Sequence, residues 1–471
     1  MRYSLLFLFY LILISSAVAQ RSAYSNESIR VNFLDEIHLV TNISQNHHLL
    51  IMRRKQPPLV CIYDETLKLK GKKELPLDLF TEDEIQLFSF KDFYYIYTQS
   101  AKTKKHQLWK VNATGVCTDV SNALTKLLQP LQKVTRSIGI EVSSNRFYIV
   151  AHTIEETTSL MTSMQIISDS LLRLQEIRQV SYLFEKQNLH RSSFINDDQM
   201  LVLSTGETEQ RQKFLKLMNI NTKTGEILAT NYKSSGENFL QPNFLFNPNN
   251  GNTILYSFIQ ASIADRRRNI FITKLTDSLV EVNRATVHQM MQPNFFLLLQ
   301  STGLQQWINL TTYKPIIHSY PNGYRYNTLA GTFNRIPGAD NYSALMRGQI
   351  NYISSAPTSG SIKFSILNNA LQPIADSIEL NNKKKYQLYT EDFAQFNFKE
   401  SSYLILKQSF PSKGKGLLLV HGDEDKVQTI DARVYERYDY LLPQLKQISE
   451  KEVLIPFLYK REAGIMKLKM E

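Results

Sequence analysis

Apolar and polar residues alternate along most of this chain in short runs, broken by bends rich in Asp, Asn, Gly and Ser. A strand with one face in a core and one in water alternates with period two, and hairpin bends favour those four residue types. Residues 191–232 show the unit whole: "RSSFIN", a "DD" bend, "MLVLSTG", the loop "ETEQRQ", "KFLKLMNI", the bend "NTKTG" and "EILATNY". This predicts a four-stranded antiparallel meander, with strands a, b, c and d.

The same unit recurs at 85–124, 135–180 and 242–288, and its c-d bends fall near positions 65, 113, 169, 223, 277, 369 and 424. Four short strands per unit of about 50 residues predict an all-β fold, a single β-propeller of four-stranded antiparallel blades. Two β-sandwiches would not produce so regular a cycle, and a β-helix repeats at a shorter interval. The C-terminus supplies "LLPQLKQI", "EVLIPFLYK" and "AGIMKLKM", three strands without a fourth, while "SIRVNFL" near the N-terminus is a strand without a unit. The expectation is that residues 28–34 complete the C-terminal blade. Seven c-d bends and this shared blade make eight. Seven blades is the alternative, because the long gap from 277 to 369 holds either a degenerate blade or an insertion.

The first 19 residues follow a different pattern: Arg2, the apolar run Leu5–Ile14, then Ala17 and Ala19 at the spacing a signal peptidase accepts. Residues 1–19 are expected to be a signal peptide and 20–471 the propeller domain, exported to the periplasm or the extracellular space. The run is too short to span a bilayer, and no transmembrane segment is expected after its removal. Two cysteines, Cys61 and Cys117, make no disulfide framework. Export would allow them to pair, but the apolar neighbours of Cys61 favour two separate thiols.

Net charge is +11, which biases an exported protein towards anionic partners if the charge is concentrated. In an up-down meander the b-c and d-a loops share one end of the sheet. The b-c segments hold Arg53, Arg54 and Lys55; Lys102, Lys104 and Lys105; Arg266, Arg267 and Arg268; Lys413 and Lys415; and Lys460 and Arg461. The segment "GETEQRQK" is balanced, with Glu207, Glu209, Arg211 and Lys213, and Glu155, Glu156, Asp265 and Glu462 oppose the cations. One face is thus expected to carry most of the excess, with arginines suited to carboxylate or phosphate. Solvated hairpin tips would look the same. A second candidate is "HSYPNGYRYN", where Tyr320, Tyr324, Arg325 and Tyr326 would make a sugar-stacking or peptide-binding loop, unless they pack back on their blade.

No metal or cofactor is expected. "HGDEDK" at 421–426 has three acids but lacks the glycine and the later Glu of a Ca²⁺ loop, and His47 and His48 are adjacent, so they point to opposite sides of a strand. HExxH, GxSxG, the P-loop pattern and GxGxxG after a strand are all missing.

The repeat of apolar strand, Asp-x-Leu or Asn-x-x-Thr-Gly bend and apolar strand, behind an export-type N-terminus, resembles the β-propeller superfamily, in particular exported bacterial propellers. No named subfamily fits. Trp-Asp repeat endings, kelch glycine pairs and SxDxGxTW boxes are missing, and Trp109 and Trp307 are the only tryptophans. The resemblance therefore transfers no functional residues. The reading leans to a non-catalytic binding scaffold with a protein or anionic polysaccharide partner, and nucleic acid is not expected. The alternative is a carbohydrate-active lyase or hydrolase with its site at the channel mouth. An enzyme needs acids or a histidine converging there, and the expected a strands "IQLFSF", "IGIEV", "SSFIN", "PNFLF" and "FNF" carry Glu141 and little else that titrates.

Overall fold

The structure is a computed structural model. It describes residues 20–470 except 33–34, 42–45, 53–56, 77–83, 100–102, 104, 130–134, 143–145, 156–157, 168–171, 184–186, 235, 247–249, 261–268, 288–294, 302–303, 310–313, 316–361, 368–377, 381–386, 399–400, 411–413, 422–426, 430–437 and 460. The described strands fall into eight sheets, six of them simple four-stranded antiparallel meanders, and the fold is of β-propeller type.

Sheet 1 comprises Glu36–Thr41, His47–Met52, Leu59–Tyr63 and Leu69–Glu74. Sheet 2 comprises Glu84–Phe90, Phe93–Gln99, His106–Asn112 and Cys117–Asp119. Sheet 3 comprises Thr135–Val142, Phe147–Glu155, Thr158–Ile167 and Arg173–Leu183. In sheet 4 the strands are Gln187–Phe194, Gln199–Glu207, Lys213–Asn221 and Ile227–Ser234. In sheet 5 they are Asn238–Phe246, Thr253–Gln260, Asn269–Leu275 and Glu281–Val287, and in sheet 7 Gln387–Phe398, Ser401–Phe410, Gly414–His421 and Val427–Thr429.

Sheet 6 occupies the long gap and departs from the meander. Phe295–Ser301 pairs antiparallel with Leu304–Asn309 on one side and parallel with Ile362–Leu367 on the other, and Ile378–Leu380 completes that edge. The gap thus holds a sheet of its own, in mixed topology.

Sheet 8 joins the two ends of the chain. Glu452–Tyr459 pairs with Glu462–Met470, and Met470 back to Met466 pairs antiparallel with Gln20–Tyr24. The expected joint at 28–34 is only a minor part of this contact. Ile29–Arg30 adds two pairs, to Ala463 and Glu462, and the main strand lies earlier, at 20–24. Sequence reasoning chose the more apolar "SIRVNFL". "QRSAY" has little apolar character, yet its Tyr24 hydroxyl meets that of Tyr440 at 2.8 Å and its ring packs on Phe457 and Tyr438.

Apolar clusters bridge consecutive sheets: 7 with 8, 8 with 1, 1 with 2, 2 with 3, 3 with 4 and 4 with 5. Side-chain parity decides the neighbour. In "MLVL" of sheet 4, Met200 and Val202 pack towards sheet 3, and Leu201 and Leu203 towards sheet 5. The middle strands are therefore buried on both faces, which is why "MLVL", "FYIVA" and "FYYIY" are continuous apolar runs and not the alternation expected of a half-buried strand.

The c-d bends close with one recurring device. Asp64 Oδ1 accepts from Thr66 N at 2.9 Å, Thr66 Oγ1 at 2.6 Å and Lys68 N at 3.0 Å, and Asn112 Oδ1 accepts from Thr114 N, Thr114 Oγ1 and Val116 N at 2.8–3.0 Å. The c-d connections of sheets 1 to 5 each include a residue at positive φ. Gly115 and Gly225 fill it at +79° and +78°, whereas Leu67, Leu172 and Leu279 fill it at +64°, +48° and +58°. Leucine is strained there, and burial offsets the strain: all three side chains sit in the clusters between sheets.

One helix, Ser121–Leu128, follows sheet 2 and was not expected from the sequence. Its Leu124 and Leu128, one turn apart, fill the space between sheets 2 and 3.

Gly464 marks the tightest point of the terminal joint: a Cβ there would lie 2.5 Å from Phe457 Cζ and 2.6 Å from Ser25 Oγ. Gly464→Ala is expected to lose about 1–3 kcal/mol to overpacking, read as a fall in the urea unfolding midpoint. An unchanged midpoint would mean that the joint has slack.

Candidate functional site

The b-c loops are where the sequence places most of the positive charge, and they fall unevenly on the structure. Of the residues expected to bind ligand, only Lys105 is described; it is exposed, and its backbone N–H meets Thr103 Oγ1 at 3.4 Å. Arg53, Arg54, Lys102, Lys104, Arg266, Arg267, Arg268, Tyr320, Tyr324, Arg325 and Tyr326 lie outside the described residues, as do the acids of "HGDEDK". The strands that flank the basic segments are described: Met52 and Leu59, Gln99 and His106, and Gln260 and Asn269 bracket b-c connections in sheets 1, 2 and 5.

Sheet 4 gives the one b-c loop seen whole. It closes through Thr208 N to Gln212 O and Arg211 N to Thr208 O, both 2.9 Å, with Arg211 at φ +62° and exposed. Lys213 and Glu207 pair across its base, so the balanced charge of "ETEQRQK" is partly neutralised within the loop. In sheet 8, Arg461 occupies the same kind of loop, also exposed and at positive φ, and its carbonyl accepts from Val31 N at 2.7 Å.

The opposite ends of the sheets are tied by polar contacts between neighbours. Between sheets 3 and 4, Arg178 reaches Asp198 at 2.5 Å and Arg146 meets Asp197 at 3.2 Å, while Glu176 on the same strand as Arg178 pairs with it at 2.8 Å. The Arg178 guanidinium beside them holds the Glu176 and Asp198 carboxyls below the usual range. Lys467 of sheet 8 donates to the Glu65 carbonyl of sheet 1 at 2.5 Å, and His48 of sheet 1 meets the Ala113 carbonyl of sheet 2 at 3.4 Å. Asp and Asn are spent here on turns and joints.

The a strands carry more titratable groups than the sequence reading credited. Glu36, His38, Glu84, Arg136, Glu141, His190, Arg191, Glu391, Asp392 and Asp439 all lie on first strands. His190 and Arg191 were missed because the a strand was weighed as "SSFIN", whereas it begins at Gln187 and a register shift between Leu189 and Arg191 breaks the alternation. The only advance signal was "NLHR", which reads as loop.

Several of these groups are engaged inside the fold. Arg191 is buried, donates to Asn243 Oδ1 and, at 3.0 Å, to the Phe244 carbonyl, and lies over the Phe244 ring at 4.5 Å. His190 meets Thr205 Oγ1 at 2.5 Å. His152 is buried with Nδ1 2.6 Å from the Tyr182 hydroxyl and Nε2 3.4 Å from Ser192 Oγ of the next sheet. His106 Nδ1 meets the Tyr97 hydroxyl at 2.7 Å, and burial lowers its pKa. These pairs sit towards the b-c ends and join strands or sheets to each other. His47 and His48 face different neighbours, as their adjacency requires, and no cluster of three His, Cys, Asp or Glu able to hold a metal occurs among the described residues. Cys61 is buried and Cys117 half-buried, and no disulfide joins them.

No protein-family model matches the chain, and no curated protein does either. Among solved structures it is similar to the AfRom2 CNH domain (8% identity, 95% of this chain and 98% of that one, TM-score 0.35). It is also similar to the WD40 domain of SCAP from fission yeast (8% identity, 96% and 98%, TM-score 0.33) and to the PL25 ulvan lyase (7% identity, 94% and 96%, TM-score 0.37). These similarities are too distant to transfer a site or an activity. Among the described residues, no helix is long and apolar enough to cross a membrane.

If the His152–Tyr182 pair is a structural tie, Tyr182→Phe leaves a buried ring nitrogen without its partner and lowers stability by about 1–3 kcal/mol with no change in ligand binding. Thermal unfolding and a binding titration on the same preparation separate this from a role in ligand recognition.

Proposed function

We propose that this chain is an exported, non-catalytic β-propeller of eight blades, closed through its terminal sheet, that presents its b-c face to an anionic polysaccharide. Residues 1–19 act as a signal peptide and residues 20–471 form the propeller, working in the periplasm or outside the cell. One observation carries the reading: Lys105, Arg211 and Arg461, the described cations of three b-c loops, are all exposed. The same class of loop holds Arg53, Arg54, Lys102, Lys104, Arg266, Arg267 and Arg268 in the sequence.

Several cations on one face raise the local concentration of a polyanion, and their separation over several loops suits an extended polymer better than a compact ligand. Tyr320, Tyr324, Arg325 and Tyr326 would add stacking surface. The engagement of His106, His152, His190 and Arg191 in internal hydrogen bonds supports a binding role over acid-base chemistry.

The test is a binding screen of the purified protein against anionic and neutral polysaccharides, with any hit titrated in salt. Binding is expected to favour the anionic polymers, to weaken as salt screens the charges, and to fall at least about tenfold, a loss of ~1.4 kcal/mol, when Arg266, Arg267 and Arg268 become Ser. Binding that ignores salt and these substitutions would overturn the basic-face reading, cleavage of a bound polymer would favour the lyase or hydrolase, and no polysaccharide binding at all would point to a protein partner.

A further inference from the structure

His47 and His48 open the second strand of sheet 1, and they stand at both of its seams. His47 is 3% exposed and lies on the side of sheet 8, within the field of Lys467. Neither of its ring nitrogens has a hydrogen-bond partner among the described residues. His48 is fully buried on the side of sheet 2, its ring 4.7 Å from that of Tyr94.

The groups facing the two rings offer a proton little compensation. His47 lies in the field of the Lys467 ammonium from sheet 8, of its neighbour His48 and, as the single acid, of Asp64. The Asp64 carboxylate is already committed to Thr66, Lys68 and Lys70, the last at 2.9 Å. Facing His48 are the Tyr94 ring and the Ala113 carbonyl at 3.4 Å. Tyr94 is itself held in its neutral form by burial. Lys467 sits on the strand that receives Gln20–Tyr24, opposite Ala23. A charge forced onto His47 would therefore repel the strand that holds the N-terminal segment in place.

We infer that His47 and His48 make the seams on either side of sheet 1 an acid-labile joint, so that falling pH releases the Gln20–Tyr24 strand from Met466–Met470 before the other sheets open. Burial first, then Lys467 and His48, holds His47 at about 4, and burial holds His48 at about 4, both below the ordinary value of 6.5. An imidazole with a lowered folded-state pKa binds its proton in the open state first. The joint is then fully stable above about 6.5 and weakens as pH falls from there towards 4.

The experiment is hydrogen exchange of the intact protein at pH 7 and 4.5, with rates corrected for the intrinsic pH dependence and expressed as protection factors. Protection at Gln20–Tyr24 and in sheet 1 is expected to fall roughly fiftyfold per imidazole released, while sheet 5, whose strands carry no histidine, keeps its protection. His48→Phe, which retains a ring against Tyr94, and His47→Leu should each blunt the fall. Should one variant fail to fold, the other still decides the matter. Uniform loss across all sheets, no loss at the joint, or an unchanged pH response in the folded variants would each overturn the inference.

Discussion

The constraint on which the structure depends is that sheets 8, 1, 2, 3 and 4 each have two apolar faces and only their neighbours to cover them. Parity along the middle strands delivers alternate side chains to the sheets on either side, as Met200 and Val202 go one way and Leu201 and Leu203 the other. A sheet lacking a neighbour would expose one of these faces to water. That is why the two ends of the chain meet: sheet 8 is built from both, and it is what covers sheet 7 on one side and sheet 1 on the other.

The bends follow from the same constraint. In sheets 1, 2, 4 and 5 the c-d bends are short, and the chain reverses through Asp, Asn or Thr caps and a residue at positive φ. Where glycine is not used, leucine is, and the burial of Leu67, Leu172 and Leu279 between sheets turns a strained backbone into a packing contact. The b-c ends are under no such pressure. They vary in length and composition, and they are where cations, and the proposed ligand contacts, accumulate.

The repeat was legible because period-two runs and Asx bends are local, and the strands of sheets 2 to 5 fall close to where "FYYIY", "MLVL" and "NTKTG" put them. Non-local features were not. "QRSAY" gives no sign of the strand it forms, since its pairing is set by Met466–Met470 more than 440 residues away. The parallel pairing of Phe295–Ser301 with Ile362–Leu367 is likewise invisible in a pattern that presumes a meander. His190 and Arg191 were lost to a strand boundary and a register shift. The candidate site was legible only as charge in loops, because solvated cations leave no periodic trace.

The account rests most directly on the joint between the ends, and one cross-link tests it. Ala23 and Lys467 are register partners, so an Ala23→Cys, Lys467→Cys double variant should oxidise readily in the native protein and raise its unfolding temperature, since the bond closes almost the whole chain into one loop. A pair that stays reduced under mild oxidation, or a cross-link that leaves the unfolding temperature unchanged, would contradict the view that the terminal sheet holds the fold together.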